Sequence, residues 1–235
     1  MNTVAGVIQA RMGSNRLPGK SMAKVYEQFS LLEMVILRVM KAKKLDMIIL
    51  ATSENNNCDP LVEVADRLGI LTVRGSEVDV LSRFVNAIQI YKPDVVVRIC
   101  ADNPLIAPGE IDKLVDFSQK GQYDYAANNT PDCGLPDGLG CEILHSDTII
   151  NLTAKEFDIG YLEHVTSYIT SNPGQYSIGW LKAEPELWMP ELQLDIDTKS
   201  DLEKMQKVCS SLPEKNAPYW TPHEIVMNAK ATVSI

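Results

Sequence analysis

The sequence predicts an α/β fold in which a mostly parallel sheet is covered by helices on both faces. Two observations predict it. Short apolar, β-branched segments alternate with segments whose apolar residues recur at helical spacing, as far as the segment 94–100. The strand segments are also too continuously apolar to leave one face in water, which is typical of parallel strands that are buried on both sides.

Strands and helices follow one another in a regular order in the first half of the chain. We expect strands at 4–8, 47–51, 70–73 and 94–100, and helices at 31–44, 59–68 and 78–91. Pro60 suits the first turn of its helix, and Lys41, Lys43 and Lys44 suit the negative end of theirs. Repeated strand–loop–helix units result.

The regular alternation of predicted strands and helices ends after residue 120. We expect further strands at 123–128, 140–144 and 176–182, with a helix at 163–170 between them. The chain then returns to the main sheet at 193–196, forms a helix at 200–209 and ends with a short helix at 223–229. These expectations amount to one domain over residues 1–235, with an excursion from its sheet over 121–190.

Composition restricts the class of protein. With 235 residues, 45% hydrophobic and 23% charged, the chain has the composition of an ordinary globular domain. Its net charge of −9 argues against nonspecific nucleic-acid binding, which draws on a basic surface. Five scattered cysteines without a C-x-x-C pair indicate reduced thiols, and no apolar run is long enough to span a bilayer. We therefore expect a cytoplasmic protein with no nucleic-acid or membrane partner.

A loop that contains three cations follows the first strand. Arg11, Arg16 and Lys20 stand among Gly13 and Ser14, so backbone amides and positive side chains can converge at the carboxyl edge of the sheet. A triphosphate requires such groups. The spacing differs from that of a P-loop, and a solvated basic loop is the alternative interpretation.

Carboxylates are expected at the same edge of the sheet. Asp102 follows the strand 94–100, and alternation along the later strand places Asp195 and Asp197 on one face. Two carboxylates from distant parts of the chain could hold Mg²⁺, which binds one or two carboxylates together with phosphate and water. The alternative for Asp102 is a turn cap, and for Asp197 a cap of the helix at 200–209.

Five further segments occur in a defined order. They are 8–20, 51–54, 74–83, 97–106 and 195–202. The first reads Ile-Gln-Ala-Arg-Met-Gly-Ser-Asn-Arg-Leu-Pro-Gly-Lys, and the fourth reads Val-Arg-Ile-Cys-Ala-Asp-Asn-Pro-Leu-Ile. In this order they resemble the cytidylyltransferase family that includes CMP-sialic acid and CMP-Kdo synthetases, and most closely its spore coat polysaccharide biosynthesis branch. The similarity covers residues 4–205.

The resemblance implies a Rossmann-like nucleotidyltransferase fold, related to the glycosyltransferase A fold and arranged as a three-layer sandwich. It also implies CTP as the donor, Mg²⁺ as the cofactor and a homodimer built through the excursion. By motif, Asp102 and Asp197 would hold the metal, and these two residues with Arg11 and Lys20 would carry catalysis. The residues that would contact the nucleotide are Gln9, Ala10, Arg11, Gly13, Ser14, Arg16, Lys20, Ser76, Asp79, Arg83 and Asp102.

The implied reaction transfers a cytidylyl group to a small sugar acceptor. A sugar oxygen attacks the α-phosphorus of CTP, pyrophosphate leaves, and the metal and the cations spread the charge that develops. The acceptor would be a sugar acid or a sugar phosphate, and the product a CMP- or CDP-sugar for surface polysaccharide biosynthesis. Two alternatives are a glycosyltransferase that uses Asp195 and Asp197 to bind a finished nucleotide sugar, and a noncatalytic nucleotide-binding relative.

The half of the sequence that would bind the acceptor departs from the family pattern. Gly140 and Cys141 replace an aspartate and a valine in a segment that usually reads Gly-Leu-Asp-Val-Glu, and Leu162 replaces an arginine. A lost polar group in a sugar pocket changes which analogue is accepted. The candidates for contact with the acceptor are Asp137, Glu142 and His164. A helical histidine such as His164 is as often a packing or capping residue.

Overall fold

The computed structural model describes residues 2–155, 161 and 165–232 of the chain. The strands are β1 (Val4–Gln9), β2 (Lys24–Tyr26), β3 (Phe29–Ser30), β4 (Met47–Ser53), β5 (Leu71–Gly75), β6 (Val95–Cys100), β7 (Tyr125–Ala127), β8 (Glu142–His145) and β9 (Ile178–Trp180). The helices are α1 (Leu31–Val39), α2 (Asp59–Leu68), α3 (Val80–Tyr91), α4 (Pro108–Gly121), α5 (Ser146–Leu152), α6 (Ser167–Ser171), α7 (Lys199–Ser211) and α8 (Pro222–Thr232).

Seven of these strands form the main sheet, in the order β5-β4-β1-β6-β8-β7-β9. Strand β1 lies between β4 and β6 and is parallel to both, and β4 is parallel to β5. Strand β8 is antiparallel to β6 and to β7, whereas β9 is parallel to β7. The predicted, mostly parallel sheet is confirmed, and β8 supplies its antiparallel pairings.

Different helices cover the two faces of the sheet. Val4 and Ile8 of β1 belong to a buried cluster with apolar residues of α1, α2 and α4. Ala5 and Val7 belong to another cluster, with residues of α3 and α5. The predicted layers of helix, sheet and helix are therefore present. Because side chains alternate along a strand, Gln9 lies on the same face as Ala5 and Val7.

The segment 193–196 is not a strand of the main sheet, contrary to the prediction. Within the described chain its ladder pairing is a single bridge between Asp137 and Gln193. The amides of Leu194 and Ile196 donate to the carbonyls of Asp137 and Asp102, so loops satisfy the backbone in place of a neighbouring strand. The alternating apolar residues reflect burial of Leu194 and Ile196 in a separate cluster with α7 and α8.

Three elements of the fold were not predicted from the sequence, and one helix is shorter than predicted. Helix α4 was missed, although Pro108 stands in its first turn and Ile111 and Leu114 are buried on one face. Helix α5 and the antiparallel β2–β3 hairpin were missed as well. Helix α1 ends at Val39, earlier than predicted. The expected helix at 163–170 lies partly outside the described residues, and its described part overlaps α6.

A buried arginine joins the C-terminal segment to the rest of the fold. Arg38 is 0% exposed, and its Nε and Nη2 donate to the carbonyls of Ile106 (2.8 Å) and Leu105 (3.2 Å). Its guanidinium also donates to the carbonyls of Pro218 (2.6 Å) and Trp220 (3.0 Å). Burial lowers the pKa of Arg38 to about 10. Arg38 therefore ties the segment before α8 to the turn before α4.

None of the described helices is long and apolar enough to cross a membrane.

Candidate active site

A cavity of about 420 Å³ opens at the carboxyl ends of β1 and β6, the edge at which open parallel sheets bind ligands. Its lining consists of Gln9, Ala10, Arg11, Ser14, Asn15, Arg16, Lys20, Ser21, Val80, Arg83, Arg98, Cys100, Ala101, Asp102 and Asp197. The structure thus brings together most of the residues expected to contact the nucleotide. Gly13, Ser76 and Asp79 lie outside this lining.

The cation loop folds back on itself, and this places Lys20 near the start of the loop. The carbonyl of Met12 accepts a hydrogen bond from the amide of Gly19 at 3.1 Å. Gly19 has a φ of 73°, in the left-handed region that glycine adopts without strain. The hydroxyl of Ser21 then donates to the carbonyl of Arg11 at 3.1 Å. These contacts turn both Arg11 and Lys20 toward the cavity.

Lys20 lies between the two carboxylates that the sequence singled out. Its Nζ is 3.3 Å from Oδ2 of Asp102 and 3.0 Å from Oδ1 of Asp197. It also donates to the carbonyl of Ile196 at 2.8 Å. The Lys20 side chain is 14% exposed, so water screens these interactions only in part. Asp102 and Asp197 therefore converge on one point of the cavity, although they come from distant parts of the chain.

Asp197 does not cap helix α7. The N-cap is Thr198, whose hydroxyl accepts from the amide of Asp201, while the Asp201 carboxylate accepts from the amide of Thr198. The Asp197 carboxylate instead pairs with Lys20 and, through Oδ2, with Nη2 of Arg16 at 2.6 Å. The capping alternative for Asp197 is therefore wrong, and its carboxylate faces the cavity.

The donor set at this point suits a hard divalent cation. Asp102 and Asp197 already share one positive charge, the ammonium of Lys20. In the part of the chain that the structure describes, no group of three or more His, Cys, Asp or Glu residues could hold a metal ion. A pair of carboxylates that leaves other coordination positions to phosphate and water is the arrangement in which Mg²⁺ is usually held.

Two further aspartates add negative charge beside this pair. The pKa of Asp195 is raised to about 6, first by the surrounding protein atoms that displace water and then by the charge of Asp137. The pKa of Asp137 is raised for the same reasons, with Asp102 and Asp197 as the charged neighbours. Asp137, predicted to contact the acceptor, therefore lies close enough to both proposed metal ligands for their charges to act on it.

Two arginines of the cavity lining lie near the start of α3. Nη1 of Arg83 donates to the carbonyls of Ala10 (3.3 Å) and Ala51 (3.2 Å), and Arg83 is 2% exposed. Within the described chain, its Nε is buried without a hydrogen-bond acceptor. Burial, followed by the charge of Arg11, lowers the pKa of Arg83. Nη1 of Arg11 donates to the carbonyl of Glu77 at 3.0 Å.

Ser76 and Asp79 shape the turn that precedes α3. The Asp79 carboxylate accepts from the amide of Ser82 at 2.9 Å as the N-cap of the helix. The hydroxyl of Ser76 accepts from the amide of Asp79 at 3.1 Å. These bonds direct the first turn of α3, which carries Val80 and Arg83, toward the cavity.

Arg98 is one of six residues of the cavity lining that were not predicted as site residues, the others being Asn15, Ser21, Val80, Cys100 and Ala101. Arg98 of β6 lines the cavity, donates from Nε to Oε1 of Gln9 at 3.0 Å and forms an ion pair with Glu142. A signal was present, because a charged residue inside a buried, otherwise apolar strand needs a partner. The partner could not be identified without the pairing of β6 with β8.

The residues expected to contact the acceptor have different surroundings. Glu142 is 7% exposed and does not belong to the described lining of the cavity. A side chain at Gly140 would lie 2.7 Å from Oδ1 of Asn128, so the aspartate usual in the family does not fit this packing. Asn128 instead bonds the backbone there, since its Oδ1 accepts from the amide of Cys141 at 2.8 Å. His164 and Leu162 lie outside the described residues.

A cation-rich loop and a pair of carboxylates at the carboxyl edge of a three-layer α/β fold define a nucleotidyltransferase. Residues 5–225 match the family model described as cytidylyltransferase. The chain therefore belongs to the cytidylyltransferase family, as the resemblance predicted. This membership favours the transferase over the glycosyltransferase and noncatalytic alternatives.

Individual relatives agree with this assignment. The chain is 33% identical over 222 residues to the spore coat polysaccharide biosynthesis protein SpsF of Bacillus subtilis, covering 92% of this chain and 90% of that protein. A cytidylyltransferase structure from Leptospira borgpetersenii is similar with a TM-score of 0.90 at 26% identity, over 100% of this chain and 96% of that one. A CTP complex of CMP:2-keto-3-deoxy-manno-octonic acid synthetase shares the fold with a TM-score of 0.64 at 16% identity, over 88% and 98% of the two chains.

Proposed function

We propose that this protein transfers the cytidylyl group of CTP to a sugar acid or a sugar phosphate, releases pyrophosphate and requires Mg²⁺. The observation that carries the proposal is the position of Lys20 between Asp102 and Asp197, beside Arg16 and in the same cavity as Arg11. Three cations and two carboxylates at one place suit a triphosphate and the divalent ion that accompanies it.

The cations of the loop would bind the triphosphate. Arg16 is the more exposed partner of Asp197, since its side chain is 65% exposed against 14% for Lys20. Phosphate oxygens would compete with the two aspartates for Arg16 and Lys20 when the nucleotide enters. Positive charge held at this place stabilises the charge that develops on the non-bridging and leaving oxygens during transfer.

Asp102 and Asp197 would hold the metal. Bound Mg²⁺ neutralises phosphate charge and orients the triphosphate. These two residues would supply negative oxygen ligands from positions next to regular elements. Asp102 lies two residues after the end of β6, and Asp197 directly precedes the N-cap of α7.

We propose that Arg83, which lines the cavity near the start of α3, faces the nucleoside part of CTP. Its Nη1 is held by the carbonyls of Ala10 and Ala51. We propose that the acceptor enters from the side of Asp137, which belongs to the excursion. A sugar acceptor that is activated for surface polysaccharide biosynthesis is consistent with the similarity to the spore coat protein.

We also propose a cytoplasmic homodimer that associates through the excursion. Among the described strands, β9 is the last one of the sheet on that side, and Trp180 is 40% exposed there. An indole at an open sheet edge is a common contact between subunits. Light scattering after size exclusion tests the dimer, since a mass near 26.1 kDa would identify a monomer.

The reaction is tested by pyrophosphate release. The purified protein is incubated with CTP, Mg²⁺ and a panel of sugar acids and sugar phosphates, and the cytidylyl product is identified by mass. We expect release with at least one acceptor, and loss of release in Asp102→Asn and Asp197→Asn. The matched control is Asp116→Asn, which alters a surface carboxylate paired with Lys44. Release that persists in both cavity variants would contradict the proposed site.

A further inference from the structure

A row of polar side chains crosses the sheet beside the cavity. Gln9 on β1, Arg98 on β6 and Glu142 on β8 lie on neighbouring strands, and Arg98 and Glu142 are directly opposite each other in the antiparallel pair. The face is the one that carries Val7, and Tyr125 of β7 continues the row. The row therefore extends from the cation loop to the excursion.

Glu142 holds Arg98 in place. The Glu142 carboxylate is buried, and one oxygen accepts from Nη1 of Arg98. The other oxygen accepts from the hydroxyls of Tyr125 (2.7 Å) and Thr166 (2.9 Å). With both oxygens occupied, Glu142 neutralises and orients the guanidinium, and it has little capacity left for a ligand.

Arg98 in turn fixes the orientation of the Gln9 carboxamide. The Nε of Arg98 donates to Oε1 of Gln9 at 3.0 Å. Since a guanidinium has donors and no acceptor, the oxygen of the carboxamide must face Arg98 and its NH₂ group must point elsewhere. Within the described chain, this NH₂ group donates to no protein atom, and Gln9 lines the cavity.

We propose that Arg98 is a positioning residue which, held by Glu142, orients Gln9 so that the carboxamide NH₂ donates to an oxygen of the bound nucleotide. The inference rests on the proposed CTP site. It also restricts the ligand: the group opposite Gln9 must accept a hydrogen bond. A phosphate oxygen, a ribose hydroxyl and the base carbonyl are among the oxygen acceptors that a cytidine nucleotide offers.

A double-mutant cycle on CTP affinity tests the inference. Arg98→Lys keeps a positive charge opposite Glu142 but lacks the planar fork that reaches both partners, and Gln9→Met removes the donor. Calorimetric titration of CTP in the presence of Mg²⁺ into the wild type establishes the proposed site first. If the wild type does not bind CTP, the proposed function fails before the cycle begins.

With CTP bound by the wild type, each single variant is expected to weaken affinity about 3- to 10-fold, the effect of one hydrogen bond. Because Arg98 acts through Gln9, the double variant should be no weaker than the weaker single variant. Arg67→Lys, on the surface, is the matched control and should bind as the wild type does. Unchanged affinity in Arg98→Lys, or losses that multiply in the double variant, overturn the proposal.

Gln9→Glu keeps the test informative if Arg98→Lys fails to fold. This variant retains an oxygen for Arg98 but presents an acceptor in place of the donor, so we expect it to bind CTP more weakly than Gln9→Met with an unchanged melting temperature. Wild-type affinity in Gln9→Glu overturns the proposal. Repeating the titrations with CMP locates the contact: an equal loss places the oxygen on the nucleoside or the α-phosphate, and a loss confined to CTP places it on the outer phosphates.

Discussion

The ammonium of Lys20 lies 3.0 Å from Oδ1 of Asp197, although the two residues are 177 positions apart in the chain. The contact joins the first loop of the sheet to the segment that precedes α7. It also places a cation of the proposed triphosphate loop against a proposed metal ligand. The proposed reaction site has two halves, the cations that would bind the triphosphate and the carboxylates that would bind the metal. These two halves therefore meet at one pair of side chains.

Replacing Lys20 by alanine should weaken CTP binding about 10- to 100-fold, because a hydrogen bond between charged groups is lost. The loss should be much smaller with cytidine, which has no phosphate. Titration calorimetry measures both affinities. Lys43→Ala, an exposed lysine outside the cavity, is the control and should bind CTP as the wild type does. Equal losses for CTP and cytidine would show that Lys20 does not contact the triphosphate.

Neighbouring aspartates at the start of α7 should have separable roles. Asp197→Asn should remove the Mg²⁺ dependence of CTP binding, because a metal ligand is neutralised. Asp201→Ala, which breaks the capping box with Thr198, should lower the free energy of unfolding by about 1 kcal/mol and retain Mg²⁺-dependent binding. Urea unfolding and CTP titration with and without Mg²⁺ distinguish them. The assignment is wrong if Asp197→Asn still requires Mg²⁺ for binding.

Arg38→Met should be among the most destabilising single changes in the protein. It removes the donors of four backbone carbonyls, those of Leu105, Ile106, Pro218 and Trp220, from a fully buried site. We expect a loss of about 3 kcal/mol or more in the free energy of unfolding. Arg67→Met, which breaks an exposed pair with Glu33, should cost roughly 0–1 kcal/mol. Similar values for both variants in urea unfolding would contradict the structural role of Arg38.

Acid should remove the stabilising contribution of Glu142. Burial would raise the pKa of Glu142, but the charge of Arg98 and the hydrogen bonds from Tyr125, Arg98 and Thr166 outweigh it and lower the pKa below the ordinary 4.5. A carboxyl whose pKa is lower in the folded state stabilises the fold above its unfolded-state pKa. That contribution is lost as the pH falls through the folded-state pKa.

The difference in unfolding free energy between the wild type and Glu142→Gln should therefore be largest near neutral pH and shrink below pH 4.5. Urea unfolding across this range measures it. A difference that stays constant with pH would mean that the charge of Glu142 contributes nothing to stability.

The central part of the fold could be predicted from the sequence alone. Strands β1, β4 and β6 are buried on both faces, and such strands are apolar throughout and easily identified. The cation loop and Asp102 could be predicted as a site because the carboxyl ends of β1 and β6 lie next to each other in a parallel sheet.

Other features depended on tertiary pairing that local pattern does not contain. The alternating residues Leu194 and Ile196 are typical of a strand, yet their backbone bonds to loops and their side chains enter a separate cluster. The position of Arg98 depends on Glu142, which lies opposite it in an antiparallel pair of strands and is 44 residues away in the sequence. The two-residue strand β3 is too short to give a periodic signal.

We propose above that the cavity between the cation loop and the Asp102–Asp197 pair binds CTP together with Mg²⁺. Thermal unfolding in the presence of CTP, UTP, ATP or GTP, with and without Mg²⁺, tests it most directly, because a ligand of the native state raises its apparent stability. We expect the largest rise in melting temperature with CTP, and we expect this rise to depend on Mg²⁺. Equal melting temperatures with all four triphosphates, or a CTP effect that is independent of Mg²⁺, would contradict it.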